Sequence, residues 1–349
     1  MPGGRLFFLG PMSYRVGQVS AQTVSWGSAY SYGTDSFSYA PSVAVTGQCP
    51  NFACTTPPPT IYVVEVNNYG LPFLPPQIYY TVGVVNGSVV NWGNTNYLDS
   101  GENPTVALAF CDTTPNIDCL YAVESHNDSS NNLWYHVGQV LGFDKISRSG
   151  VYIDWGPAYR AGSGTNPSVT MQTCVSNSGY YNCDGTNIVL VEAYSGQIKG
   201  VLSLFYQTGT WTNGTPNTIS WSTPVNYGSG SNPKIALYPT GCQTGLQGDL
   251  FTGVHNEGAT PGPLYYYDGG LQQSYTGAWS IQLLGAPPLP TQYSFGWNPS
   301  VAGANFNNGA LEVHGQGGPD VFGLPTYPSP LWYTSVAYPG GLVGNCDGG

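Results

Sequence analysis

Asn103-Pro-Thr-Val-Ala-Leu108 is the stretch on which the fold turns, because the chain writes it repeatedly. It recurs as Asn166-Pro-Ser-Val-Thr170, Asn232-Pro-Lys-Ile-Ala-Leu237 and Asn298-Pro-Ser-Val-Ala302, and Pro41-Ser-Val-Ala-Val45 is a fifth copy without the asparagine. The prolines at 41, 104, 167, 233 and 299 stand 63, 63, 66 and 66 residues apart. A fixed period of this kind is the signature of a repeat architecture.

Three further segments keep the period. Val64-Glu-Val-Asn67 returns as Val123-Glu-Ser-His126, Val191-Glu-Ala-Tyr194, Gly253-Val-His255 and Leu311-Glu-Val-His314. Leu133-Trp-Tyr-His-Val-Gly138 has counterparts beginning at Ile78, Leu204, Leu264 and Leu331. A last segment ends in Trp92, Trp155 and Trp221, with Ile281-Gln-Leu-Leu284 replacing it in the fourth repeat. Each repeat thus holds four short alternating segments, a to d, separated by turn residues. No segment sustains a helical period with caps. The reading is all-β: a five-bladed β-propeller with four antiparallel strands per blade, in one domain spanning 1–349. The repeats cover 28–92, 93–155, 156–221, 222–284 and 285–349. The last lacks segment d, and Gln22-Thr-Val-Ser-Trp26 matches it, so an N-terminal strand within 14–27 is expected to complete that blade and close the ring. Tyr14–Val19 then resembles a surplus segment c, whose edge is available for self-association.

Composition narrows the function. Of 349 residues only 7% are charged, against a usual ~25%, and the formal net charge is −11. A phosphate-tracking nucleic-acid binder needs a basic face and is excluded. A content of 48 Gly, 29 Pro and 27 Tyr suits short strands and many turns, and no apolar run approaches the ~18 residues of a membrane helix. Eight cysteines predict disulfides and a secreted, extracellular location. Cys49–Cys54, Cys111–Cys119 and Cys174–Cys183 each flank a loop between segments a and b, which leaves Cys242–Cys346 as the fourth bridge.

Strand alternation puts the d–a and b–c loops on one face. There lie Tyr97, Tyr159, Tyr227 and Tyr293 ahead of the Asn-Pro turns, with Asn103. Segment b ends on the same face in His126, His255 and His314, and Glu65, Glu124, Glu192 and Glu312 stand two residues earlier on the same side of the strand. A flat aromatic ring beside a few hydrogen-bonding groups is sugar-binding chemistry. The competing reading is that these Glu and His residues lock one blade to the next. A metal needs ligands converging at ~2–2.3 Å, and equivalent positions on different blades do not converge, so no metal, cofactor or catalytic residue is assigned.

The Glu-x-His, Leu-Trp-Tyr-x-Val-Gly, Trp-Gly and Asn-Pro-Ser-Val-Ala pattern resembles a group of secreted bacterial β-propeller repeat proteins. In architecture it is similar to the five-bladed tachylectin-like propeller lectins. The expectation is therefore a secreted, lectin-like protein without catalytic activity, binding glycans multivalently on one face. A structural subunit of an extracellular surface layer or filament is the alternative, and a glycoside hydrolase-like enzyme the third.

Overall fold

The computed structural model describes residues 12–20, 23–32, 38–47, 61–70, 75–110, 120–141, 151–173, 187–212, 218–238, 250–256, 262–274, 278–283, 291–304, 309–315 and 331–337. The fold is an all-β, β-propeller arrangement of antiparallel strands with four blades. The first blade runs Ser38–Gly47, Ile61–Tyr69, Gln77–Asn86 and Val89–Ser100. The second runs Glu102–Phe110, Leu120–Asn127 and Asn132–Leu141, with its fourth strand split into Tyr152–Trp155 and Tyr159–Ser163. The third and fourth repeat this plan from Thr165 and from Ser231. All eight cysteines, and with them the expected disulfides, lie outside the described residues.

Two expectations are corrected. The fifth repeat does not stand as a separate blade. Its strand a and the last strand of the fourth blade are one fourteen-residue strand, Thr291–Ala304. Gly309–Gly315 and Leu331–Ala337 therefore extend the fourth sheet to seven strands. Among the described residues Thr23–Trp26 pairs with Gly17–Ser20, and its expected pairing beside Leu331–Ala337 is not shown. Ring closure through it is not observed. Tyr14 instead reaches the first blade, where its hydroxyl accepts from the Val90 amide at 3.1 Å.

Contacts divide the chain into two compact units, Met1–Phe110 with Thr114–Thr165, and Cys111–Thr113 with Asn166–Gly349. In the first unit Tyr62, Val64, Val66, Tyr80 and Val82 of one blade pack on Leu120, Ala122 and Ile153 of the next. In the second unit Val189, Val191 and Tyr206 pack on Phe251, Leu271 and Ile281. The same tyrosine bolts each seam: Tyr80 Oη donates to Ile153 O at 3.1 Å, and Tyr206 Oη to Ile281 O at 3.2 Å. The repeated Val-Gly and Trp-Gly motifs are one device. Gly83, Gly138 and Gly209 stand opposite Trp92, Trp155 and Trp221, and a Cβ on any of them would come within 2.8 Å of the indole.

The Asn-Pro turn is a β-bulge. Register shifts fall at it in the first, second and fourth repeats. Asn103, Asn166 and Asn232 adopt φ of 54°, 51° and 50°, the left-handed region that asparagine tolerates. The preceding blade caps the bulge: the Asn103 amide donates to Asn68 Oδ1 at 2.9 Å and the Asn232 amide to Ser195 Oγ at 3.1 Å. In the first repeat Ala40 takes the same role at φ 50°. It bears a steric cost of about 1 kcal/mol that asparagine lessens. Ala40→Asn is therefore expected to raise the thermal midpoint in a calorimetric scan; an unchanged or lower midpoint would remove the bulge as the reason for the repeat's asparagine.

Candidate functional site

Three of the repeated glutamates, Glu65, Glu124 and Glu192, are fully buried. Strand register sets a different residue opposite each: Thr81, His136 and Gln207. Glu192 Oε2 accepts from Gln207 Nε2 at 2.6 Å. In the second blade the partner is a histidine, and a network of ionisable groups results.

Glu124 faces two imidazoles. His126 Nδ1 lies 3.2 and 3.1 Å from its two carboxylate oxygens, so that nitrogen carries the proton. His136 stacks on His126 with ring centroids 6.0 Å apart. Its Nδ1 meets Gly156 O at 2.9 Å and its Nε2 meets Asp99 Oδ2 at 3.0 Å. A carbonyl and a carboxylate both only accept, so His136 carries a proton on each nitrogen and is an imidazolium. Burial disfavours its charge, but the hydrogen bond to Asp99 and the charge of Glu124 outweigh burial and hold its pKa above the ordinary value. The hydrogen bond from His136 in turn holds Asp99 below its usual range. Asp99 is the outlet of this network: its side chain is 31% exposed, while that of His136 is 7% exposed. Tyr97, 53% exposed, lies two residues before it, edge-on to Tyr79 with centroids 5.7 Å apart.

The fourth blade is the natural control. His255 occupies the position of His126, but Gly253 replaces the glutamate, and a side chain there would crowd Phe251. Its Nδ1 is buried without a hydrogen-bond partner. The ring stacks on Tyr265 and on Tyr267, with centroids 5.6 and 5.3 Å away. For His126, burial opposes the charged form but Glu124 overcomes it, and the pKa is raised. For His255 burial acts alone, and the pKa falls to about 4.

The other expected ligand residues do not form five equal sites. Asn103 is spent on the bulge, its Nδ2 donating to Asn127 Oδ1 at 3.1 Å. Tyr159 stacks on Tyr135 at 5.8 Å, and Tyr227 packs edge-on against Tyr267 at 5.4 Å. Tyr293, Glu312 and His314 lie in strands whose side chains there are outside the described residues. His136 and Asp99 were missed by the sequence reading. His136 stood inside a quoted motif but is not repeated; the register opposite Glu124 was the signal that would have found it.

No protein-family model and no curated protein matches the chain. Solved structures do. A variant fructofuranosidase of Schwanniomyces occidentalis complexed with fructosylnystose matches at 13% identity and a TM-score of 0.40, over 78% of this chain and 52% of that one. The fructofuranosidase of the same organism complexed with fructose gives the same figures. The chain spans about half the length of these enzymes. The expectation of a lectin-like propeller without catalytic activity is thereby corrected, since the structures found are enzymes. At this level the likeness transfers neither their activity nor their substrate. Among the described residues no helix is long and apolar enough to cross a membrane.

A pH prediction follows from His255. Its folded pKa of about 4 lies below the unfolded ~6.5, so the unfolded state binds the extra proton between those values. Stability should therefore fall as pH drops from 6.5 to 4, by up to roughly 3 kcal/mol from this group alone. Denaturant titrations of wild type and His255→Gln across that window check it; identical slopes would show that His255 is not buried neutral.

Proposed function

We propose that the chain acts on carbohydrate as a glycoside hydrolase-like protein, at the edge of the first blade where Tyr97 and Asp99 meet the second blade. The observation that supports this is the form of Asp99: a carboxylate within reach of solvent, kept ionised by an imidazolium, two residues from an exposed tyrosine. An exposed ring offers the flat apolar face that sugars stack on, and an ionised carboxylate can act as nucleophile or base at an anomeric carbon. Glycoside cleavage takes two carboxyls. Glu102, across Gly101 at the start of the next strand, is the second carboxyl along this edge. Tyr97 is the platform, Asp99 the reacting carboxylate, Glu102 its counterpart, and His136 a positioning residue for Asp99.

The test is hydrolysis of a panel of oligosaccharides, fructans among them, followed by reducing-sugar release. Asp99→Asn and Glu102→Gln should each lower turnover by on the order of 10²–10⁴-fold, measured well below the melting transition of each variant. Tyr97→Ala should raise KM more than it lowers kcat. Release unaffected by Asp99→Asn, or no release from any glycoside, would overturn the reading.

A further inference from the structure

We propose that Glu124, His126 and His136 form a binding site for one divalent transition-metal ion, zinc or a metal of its class, inside the second blade. One donor atom from each of the three residues lies within 4.8 Å of the others, and all three are buried. The reason they converge is the strand geometry. Glu124 and His126 are two apart on Leu120–Asn127 and share a face, and register sets His136 directly opposite Glu124. The objection that repeated positions on separate blades cannot converge does not apply, because the third ligand comes from the adjacent strand of the same blade.

Two features suit a metal. The separation of His126 Nδ1 from the Glu124 oxygens, 3.1 and 3.2 Å, is close to the ~3.3 Å edge of a tetrahedron built with bonds of about 2.0 Å. The outer partners are also in place. A metal-bound imidazole is usually oriented by a carboxylate or carbonyl on its other nitrogen, and His136 holds Asp99 on one side and Gly156 O on the other. Binding replaces one His136 proton and the His126 Nδ1 proton with the ion. Whichever hydrogen bond His136 keeps then orients the ring. Two imidazoles and one carboxylate favour zinc, cobalt or nickel over calcium or magnesium, which take oxygen ligands. A water completes the four positions.

Among the described residues no other Glu or His position gathers three such donors. The first blade sets Glu65 opposite Thr81, the third sets Glu192 opposite Gln207, and His255 has Gly253 where His126 has Glu124. The chain therefore supplies its own control substitution. His136→Gln recreates the Glu192–Gln207 pair of the third blade, a partner the repeat accommodates, so the variant should fold. The experiment is calorimetric titration of chelator-treated full-length protein with zinc chloride, and with cobalt chloride followed by visible absorption. The expected result is one ion per chain, with a cobalt spectrum free of the sulfur charge-transfer band. His136→Gln and Glu124→Gln should abolish binding, Asp99→Asn should weaken it about 10–100-fold, and His255→Gln should leave it unchanged. Absence of binding in the wild type, or binding that survives His136→Gln or shows thiolate bands, overturns the proposal. The readout is the ion itself, so it stands or falls independently of glycoside cleavage.

Discussion

A carboxylate buried on the second strand of a blade must be answered by a neighbouring side chain. Removing such a group from water costs several kcal/mol unless it is hydrogen-bonded or paired, and this chain buries Glu65, Glu124 and Glu192 completely. Glu124 takes its hydrogen bonds from His126 on its own strand, and antiparallel register adds one facing position on the third strand. Glutamine at 207 answers with a neutral hydrogen bond. Histidine at 136 answers with a charge, and that charge calls for a second carboxylate, Asp99, which reaches the surface. Among the blades that bury a glutamate, the distinction between a structural blade and a chemically equipped one thus lies in the side chain opposite it.

The two histidines His126 and His255 display the same rule from the other side. Both end the second strand of their blade, and both lie beneath a glycine that leaves no room for a side chain, Gly101 and Gly230. Their acidities are nevertheless moved in opposite directions, because one has Glu124 at its Nδ1 and the other has only burial. Repetition of the backbone does not imply repetition of function. A site read as fivefold becomes, side chain by side chain, one network in the second blade and a packed aromatic stack in the fourth.

The strands and the Asn-Pro turns were legible because each is enforced by backbone geometry and so recurs at the same spacing; that the turns are bulges and that tyrosines bolt the seams was not. The Gly–Trp pairs were legible as motifs, though not as the opposed positions they occupy. The blade count was not legible. Five copies of a motif do not reveal that strand Thr291–Ala304 runs without a break from one repeat into the next, joining two repeats into one sheet. The site was hidden for a related reason. Aligning repeats emphasises what recurs, whereas His136 and Asp99 matter because they depart from the repeat. Asp99 further depends on a register shift where its strand pairs with Gln77–Asn86, opposite Ile78 and Tyr79, which no composition or period encodes.

The most direct test of this account is a long-range proton–nitrogen correlation spectrum of the imidazoles in metal-free protein at neutral pH. His136 should carry protons on both ring nitrogens, held by Asp99 and Gly156. His255 should be neutral, with one bare nitrogen, and should remain so until the pH approaches its pKa of about 4. A neutral His136, or His126 and His255 titrating alike, would contradict the claim that the residue opposite the buried glutamate decides the chemistry of each blade.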